Sequence, residues 1–101
     1  MAFKIIAKKR FLNSFKKITS YLNKEWGKSV AEEFKTITIN KLDLLASQPN
    51  IGTNTAIKNT KSVLVGKGYQ NKIYYRVEKN KLIIINLIDI RKNPKQNRYH
   101  K

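Results

Sequence analysis

With 101 residues, 41% hydrophobic and 28% charged, the chain can fold as one domain around a single modest core and is too short for two. Twenty-two Lys and Arg against six Asp and Glu give a formal charge of +16 and a pI near 10.3, a self-repelling balance that points to a nucleic acid or a strongly acidic protein as partner. The absence of Cys excludes disulfides and thiol chemistry, and no apolar run approaches the ~20 residues that span a bilayer, so a soluble, cytoplasmic protein with no membrane role is expected.

Residues 1–7 include a β-prone segment, Phe3 to Ile6, expected at the edge of a sheet, and residues 8–47 read as a helical hairpin. Phe11, Phe15, Ile18, Leu22 and Trp26 recur every three or four residues, the apolar stripe of an amphipathic helix, with Lys9, Arg10, Lys16, Lys17 and Lys24 outside it. Trp26 is therefore expected in the hairpin core. Gly27 can close this helix, and Ser29-Val30-Ala31-Glu32 fits a capping box opening the next, with Val30, Phe34, Ile37, Leu44 and Leu45 inward. The β-branched run Thr36-Ile37-Thr38-Ile39 opposes helix locally, and the longer pattern on either side outweighs it. Pro49 ends the second helix, and Thr53 to Lys61 is a polar loop carrying Lys58 and Lys61.

Residues 62–91 read as a three-stranded meander. Val63 to Gly66 is a short β-branched run, Lys72 to Val77 alternates with the period of two, and Leu82 to Ile88 is apolar everywhere but Asn86, as in a central strand. A two-residue loop at Lys79-Asn80 places Val77 opposite Leu82, Arg76 opposite Ile83, Tyr74 opposite Ile85 and Lys72 opposite Leu87. Ile73, Tyr75, Val77, Leu82, Ile84, Asn86 and Ile88 then face the core. Lys72, Tyr74, Arg76, Ile83, Ile85, Leu87, Asp89 and Arg91 share the other face, an apolar floor ringed by cations, which requires cover by a partner, a substrate or the chain's own tail. A one-residue change in register would reverse the assignment. A basic tail, residues 92–101, follows. The expected fold is α+β: an N-terminal strand and an antiparallel helical hairpin packed on an antiparallel sheet that ends in the meander.

This order resembles the RelE/ParE superfamily of toxins from bacterial type II toxin–antitoxin systems. The matching residues are Trp26-Gly27 with Ala31 and Phe34, Leu45 with Pro49 and Gly52, Tyr74-Tyr75-Arg76-Val77, and Asp89-Ile90-Arg91-Lys92-Asn93-Pro94, which together cover nearly the whole chain. The long hairpin, the Pro49…Gly52 spacing and the exit motif resemble the ParE-type, plasmid-stabilisation branch. The resemblance implies a cognate acidic antitoxin, with which the toxin can form a hetero-oligomer, and one of two targets: DNA gyrase for ParE-type members, or mRNA in the ribosomal A site, cut without metal, for RelE-type members.

Cleaving RNA without metal requires a base for the 2′-hydroxyl, cations for the phosphate and an acid for the leaving oxygen. Lys72, Tyr74, Arg76, Arg91, Lys58 and Lys61 are the candidates for holding a phosphate or a target. Lys72 and Arg91 look like the counterparts of two functional Arg residues of RelE-type nucleases, with the fork of the first lost to Lys. Tyr99 could approximate their tail tyrosine. His100 is the single His, sits next to the C-terminal residue, and is read as non-catalytic; Lys58, Lys61 and Lys67 are the candidate bases. No metal-ligand cluster or nucleotide fingerprint is present, so no metal and no cofactor are expected. Ile83, Ile85, Leu87 and Arg76 are expected to meet the antitoxin. A growth-arresting, ParE-like inhibitor is the leading reading, a ribosome-dependent mRNA endonuclease the second, and a non-toxic basic RNA-binding module the third.

Overall fold

The computed structural model describes residues 3–66 and 71–89. In chain order they form β1 (Lys4–Ala7), α1 (Lys9–Trp26), α2 (Lys28–Ser47), β2 (Thr53–Asn54), β3 (Lys61–Val65), β4 (Asn71–Glu78) and β5 (Lys81–Asp89). The strands make one sheet in the order β1-β5-β4-β3-β2, and Phe11, Phe34 and Leu45 of the helices pack against Val65, Ile73, Tyr75, Leu82 and Ile84 on one of its faces. This is the expected α+β arrangement, and no helix among the described residues is long and apolar enough to cross a membrane.

Two details of the sheet differ from expectation. The sheet is mixed: β1 runs parallel to β5, pairing Lys4 with Lys81 and Ala7 with Ile84. A strand that reaches the sheet through a long helical connection is free of the hairpin geometry that makes close neighbours antiparallel. The loop expected from Thr53 to Lys61 also contains the two residues of β2, which extend the sheet beyond β3.

The apolar stripe of α1 reaches the core as expected through Phe11, Phe15, Ile18 and Leu22, and Phe15 stacks against both Phe11 and Phe34. Trp26 does not; it is 68% exposed. The chain turns from α1 to α2 through Gly27 alone, at φ 99° and ψ 167°, a region open essentially only to glycine. The expected capping box is absent, because α2 already begins at Lys28 and no side chain caps it.

In α2 the buried line is Ala31, Phe34, Thr38, Leu45 and Ala46, while Val30 and Leu44, expected inside, are exposed. Thr38 belongs to the line because its hydroxyl donates to the Phe34 carbonyl at 2.8 Å, which satisfies the polar atom within the helix and leaves its methyl to pack. Helix therefore runs unbroken through Thr36-Ile37-Thr38-Ile39.

The segment after α2 is held to the sheet by one side chain. The Tyr75 hydroxyl, wholly buried, donates to the Pro49 carbonyl at 2.7 Å and accepts from the Gly52 N–H at 2.9 Å. Gly52 has to lack a side chain here: a Cβ would lie 2.4 Å from that hydroxyl oxygen and 2.9 Å from the Ser62 carbonyl oxygen.

The β4–β5 register follows the predicted hairpin only near its turn. Val77 lies opposite Leu82 and Arg76 opposite Ile83, but a bulge between Tyr74 and Tyr75 leaves Ile85 without a partner. Beyond it Tyr74 meets Asn86 and Lys72 meets Ile88, where Ile85 and Leu87 were expected. Leu87 consequently lies opposite Ile73 in the core, 2% exposed, and Ile88 joins Lys72 on the outer face. Asn86 stays toward the helices as expected, its Oδ1 accepting from Ser14 Oγ at 3.0 Å and from the Leu87 N–H at 2.8 Å.

Two stability predictions follow from this packing. Leu87→Ala should cost about 2–5 kcal/mol as a core truncation, against about 1 kcal/mol for Ile85→Ala; equal losses in urea denaturation would contradict the bulged register. Gly52→Ala should cost about 1–3 kcal/mol by crowding the Tyr75 hydroxyl, and Tyr75→Phe a similar amount by leaving the Gly52 N–H and Pro49 carbonyl unpaired. Burial raises the Tyr75 pKa above the ordinary tyrosine value, partly opposed by the Gly52 N–H. A raised folded-state pKa means that this contribution is complete below about pH 10, where unfolded tyrosine ionises, and is lost as pH rises through the folded value. The stability gap between wild type and Tyr75→Phe should accordingly narrow above about pH 10 in denaturation measured across alkaline pH.

Candidate functional site

The face of the sheet opposite the helices is built by strand alternation. Ile73 and Tyr75 enter the core, so Lys72, Tyr74, Arg76 and Glu78 of β4 point the other way. Ile83 pairs with Arg76, and Ile6 pairs with Ile83 across the parallel ladder, which extends the same face into β5 and β1. Ser62 and Leu64 of β3, opposite Tyr74 and Lys72, extend it on the other side.

The floor of this face is well covered within the chain itself. Tyr74 is 2% exposed and Ile83 5% exposed, so neither needs a partner for burial. The half-buried positions are Ile6, Ile85 and Ile88 on the apolar side and Lys72 and Arg76 among the cations. Lys72 lies between Leu64 and Ile88, aliphatic neighbours along which its stem can lie while its ammonium reaches water. The Arg76 guanidinium Nε donates to Glu78 Oε2 in an exposed ion pair, which contributes little stability and fixes one edge of the Arg fork.

Lys4 and Lys81 are the cations that sequence reasoning missed. They face each other across β1 and β5, two residues from Ile6 and Ile83, and so share the outer face. The parity of Lys81 with Ile83 was visible in the sequence; the pairing of Lys4 depends on the parallel β1, which was not. The result is a row of Lys4, Lys81, Arg76 and Lys72, with Glu78 as the acidic side chain among them.

Other expected site residues fall elsewhere. Lys61 lies opposite Tyr75, hence on the helical side, and its ammonium donates to Asn54 Oδ1 at 3.1 Å. Lys58 is exposed in the turn between Thr55 and Thr60, a loop closed by the Thr55 N–H and hydroxyl, both donating to the Thr60 carbonyl at 3.1 and 2.9 Å. Neither joins the Lys72–Arg76 row. Leu87 belongs to the core, as described above. Arg91, Tyr99, His100 and Lys67 lie outside the described residues. What the structure brings together is a cationic strip on a largely buried aliphatic and aromatic floor, suited to holding carboxylates or phosphates.

A family model described as the ParE toxin of the type II toxin–antitoxin system, parDE, matches residues 5–94. No curated protein matches the chain in sequence. Among solved structures, a chain of the chromosomal ParDE toxin–antitoxin system from P. aeruginosa superposes with a TM-score of 0.75 at 10% identity, covering 87% of this chain and 96% of that one. The conserved hypothetical protein HP0894 from Helicobacter pylori gives a TM-score of 0.54 at 23% identity, with 86% and 93% covered. Both likenesses are of fold. The family model, which takes in the strand, the helical hairpin and the meander alike, settles the assignment: the chain belongs to the ParE toxin family of type II toxin–antitoxin systems.

Proposed function

We propose that this protein arrests growth by binding and inhibiting DNA gyrase, and that a cognate acidic antitoxin neutralises it by covering the outer face of the sheet. The observation that carries the reading is the match of residues 5–94 to the ParE family. The composition of the face supports it: the described ionisable side chains are Lys4, Lys72, Arg76, Glu78 and Lys81, cations with one carboxylate already engaged by Arg76. Such a set holds an anionic surface. Lys72, in the position resembling a nuclease arginine, offers a point charge and no fork for bidentate phosphate binding.

An acidic antitoxin meets this face on two terms. Its carboxylates answer a chain of net charge +16, and an apolar segment between them would close over Ile85 and Ile88. Arg76 remains an antitoxin contact in this reading. Ile83, already covered, contributes floor.

Purified protein should inhibit ATP-dependent supercoiling by gyrase and leave mRNA uncut in a reconstituted translation reaction read by primer extension. Codon-boundary cuts with normal supercoiling would replace gyrase by ribosome-bound mRNA as target. Ile85→Asp should weaken antitoxin binding by about 10-fold or more with the fold intact, and binding should weaken as salt rises. Unchanged affinity would remove the outer face as the antitoxin surface.

A further inference from the structure

The helical layer carries a charged face of its own. At about 3.6 residues per turn, Lys9, Arg10, Lys16, Lys17 and Lys24 of α1 fall within an arc of about 120°, with Asn13 and Ser20 between them. All of these residues are exposed. Phe11, Phe15, Ile18 and Leu22, which reach the core, lie on the opposite side of the same helix. The arc therefore points away from the sheet, and the core and the sheet lie between it and the row of Lys4, Lys81, Arg76 and Lys72.

The stability of the chain does not call for this arrangement. Residues 1–24 contain seven Lys and Arg and no acidic residue, so that no carboxylate precedes Glu25 in α1. In the first turn Lys9 and Arg10 oppose the helix dipole, with no acidic residue beside them and no side-chain cap. Lys9 with Lys16, Arg10 with Lys17, and Lys17 with Lys24 repeat at seven residues, which sets like charges on one face about 10.5 Å apart along the axis. A ligand that lays phosphates along the same length turns this repulsion into attraction.

What the arc lacks identifies the ligand. It holds no apolar side chain, whereas a protein partner needs an apolar centre to its interface, such as half-buried Ile85 and Ile88 supply on the sheet face. Interfaces with nucleic acid are more polar and far more cationic. A single strand is held by successive aromatic platforms that stack its bases, and exposed Tyr21 at the edge of the arc is one ring alone. Between duplexes, the major groove of B-DNA admits an α-helix, while the deep, narrow major groove of duplex RNA excludes side chains. A lipid surface takes an amphipathic helix by its apolar side, and the apolar side of α1 is already in the core.

We propose that the outer face of α1 binds the backbone of duplex DNA without regard to sequence, with Lys9, Arg10, Lys16 and Lys17 on the phosphates. This goes beyond the reading of the chain as a gyrase inhibitor and does not depend on it. Where gyrase is the target, a toxin held on DNA by α1 can slide and hop along the duplex that the enzyme works on. Its sheet face stays free for the antitoxin.

The test uses the full chain and a duplex of about 30 base pairs and arbitrary sequence, with affinity measured across a salt series. Changing four residues together, Lys9→Gln, Arg10→Gln, Lys16→Gln and Lys17→Gln, should make the slope of log K against log salt shallower by roughly 3 to 4. Affinity at about 50 mM salt should fall by about 100-fold or more. The charge-matched comparator, Lys4→Gln, Lys72→Gln, Arg76→Gln and Lys81→Gln, should keep its slope within about one unit of the wild type. The two pair variants, Lys9→Gln with Arg10→Gln and Lys16→Gln with Lys17→Gln, should each show about half of the slope change. They carry the test if circular dichroism shows the fourfold change in α1 to be unfolded.

An unchanged slope in the α1 variants, or an equal loss in the comparator, would overturn the proposal, the second by showing that bulk charge alone is at work. So would absence of binding at low salt. Tighter binding of a single strand or of duplex RNA, lost with the same α1 changes, would overturn duplex DNA as the ligand, as would binding to anionic vesicles but not to the duplex. The assay contains neither gyrase nor antitoxin, so its failure leaves the proposed target standing, and failure to inhibit gyrase leaves the α1 surface standing.

Discussion

β5 is the constraint on which the other elements depend. It is hydrogen-bonded on both edges, to parallel β1 and antiparallel β4, and buried on both faces through Leu82 and Ile84 on one side and Ile83 on the other. A strand so enclosed admits a polar side chain only if its atoms are satisfied. For the amide oxygen of Asn86 that condition is met, since Oδ1 accepts from both the Ser14 hydroxyl of α1 and the Leu87 N–H. One amide thereby ties the first helix to the centre of the sheet at the point where the bulge changes the facing of the strand.

The bulge divides the work of the strand. Before Ile85 the alternation serves the turn; after it, the strand is turned over, so that Leu87 fills the core opposite Ile73 and Ile88 flanks Lys72 outside. Without the extra residue Leu87 would face outward and Ile88 would enter the core. The composition of the outer face near Lys72 is therefore a consequence of one unpaired residue in the middle of β5.

That dependence also explains how far the sequence could be read. The hairpin register near Lys79-Asn80 was legible because a two-residue loop leaves no freedom in counting. The bulge was not, because Ile83-Ile84-Ile85 is aliphatic throughout and carries no parity by which an inserted residue could be noticed. In the helices, Phe11, Phe15, Ile18, Leu22, Phe34 and Leu45 were found by spacing alone. Thr38 was overlooked because its fitness for the core rests on a bond to the Phe34 carbonyl, and Trp26 and Val30 were misplaced because spacing shows which side a residue faces and not whether the sheet extends beneath it. Among the cations, Lys72 and Arg76 were legible from alternation on one strand, whereas Lys4 required a parallel pairing that no local pattern encodes.

The distribution of charge follows the same geometry and gives the two ends of the molecule different physics. On the sheet face, cations over an aliphatic floor create a long-range field that speeds capture of an acidic partner and weakens with salt. At the hairpin tip Lys24, Lys28 and Lys35 are offset by Glu25, Glu32 and Glu33, so approach there is not steered. Under the proposed function, neutralisation depends on that fast capture, and the four cations Lys4, Lys72, Arg76 and Lys81 gathered on one face of the sheet are what supply the field for it.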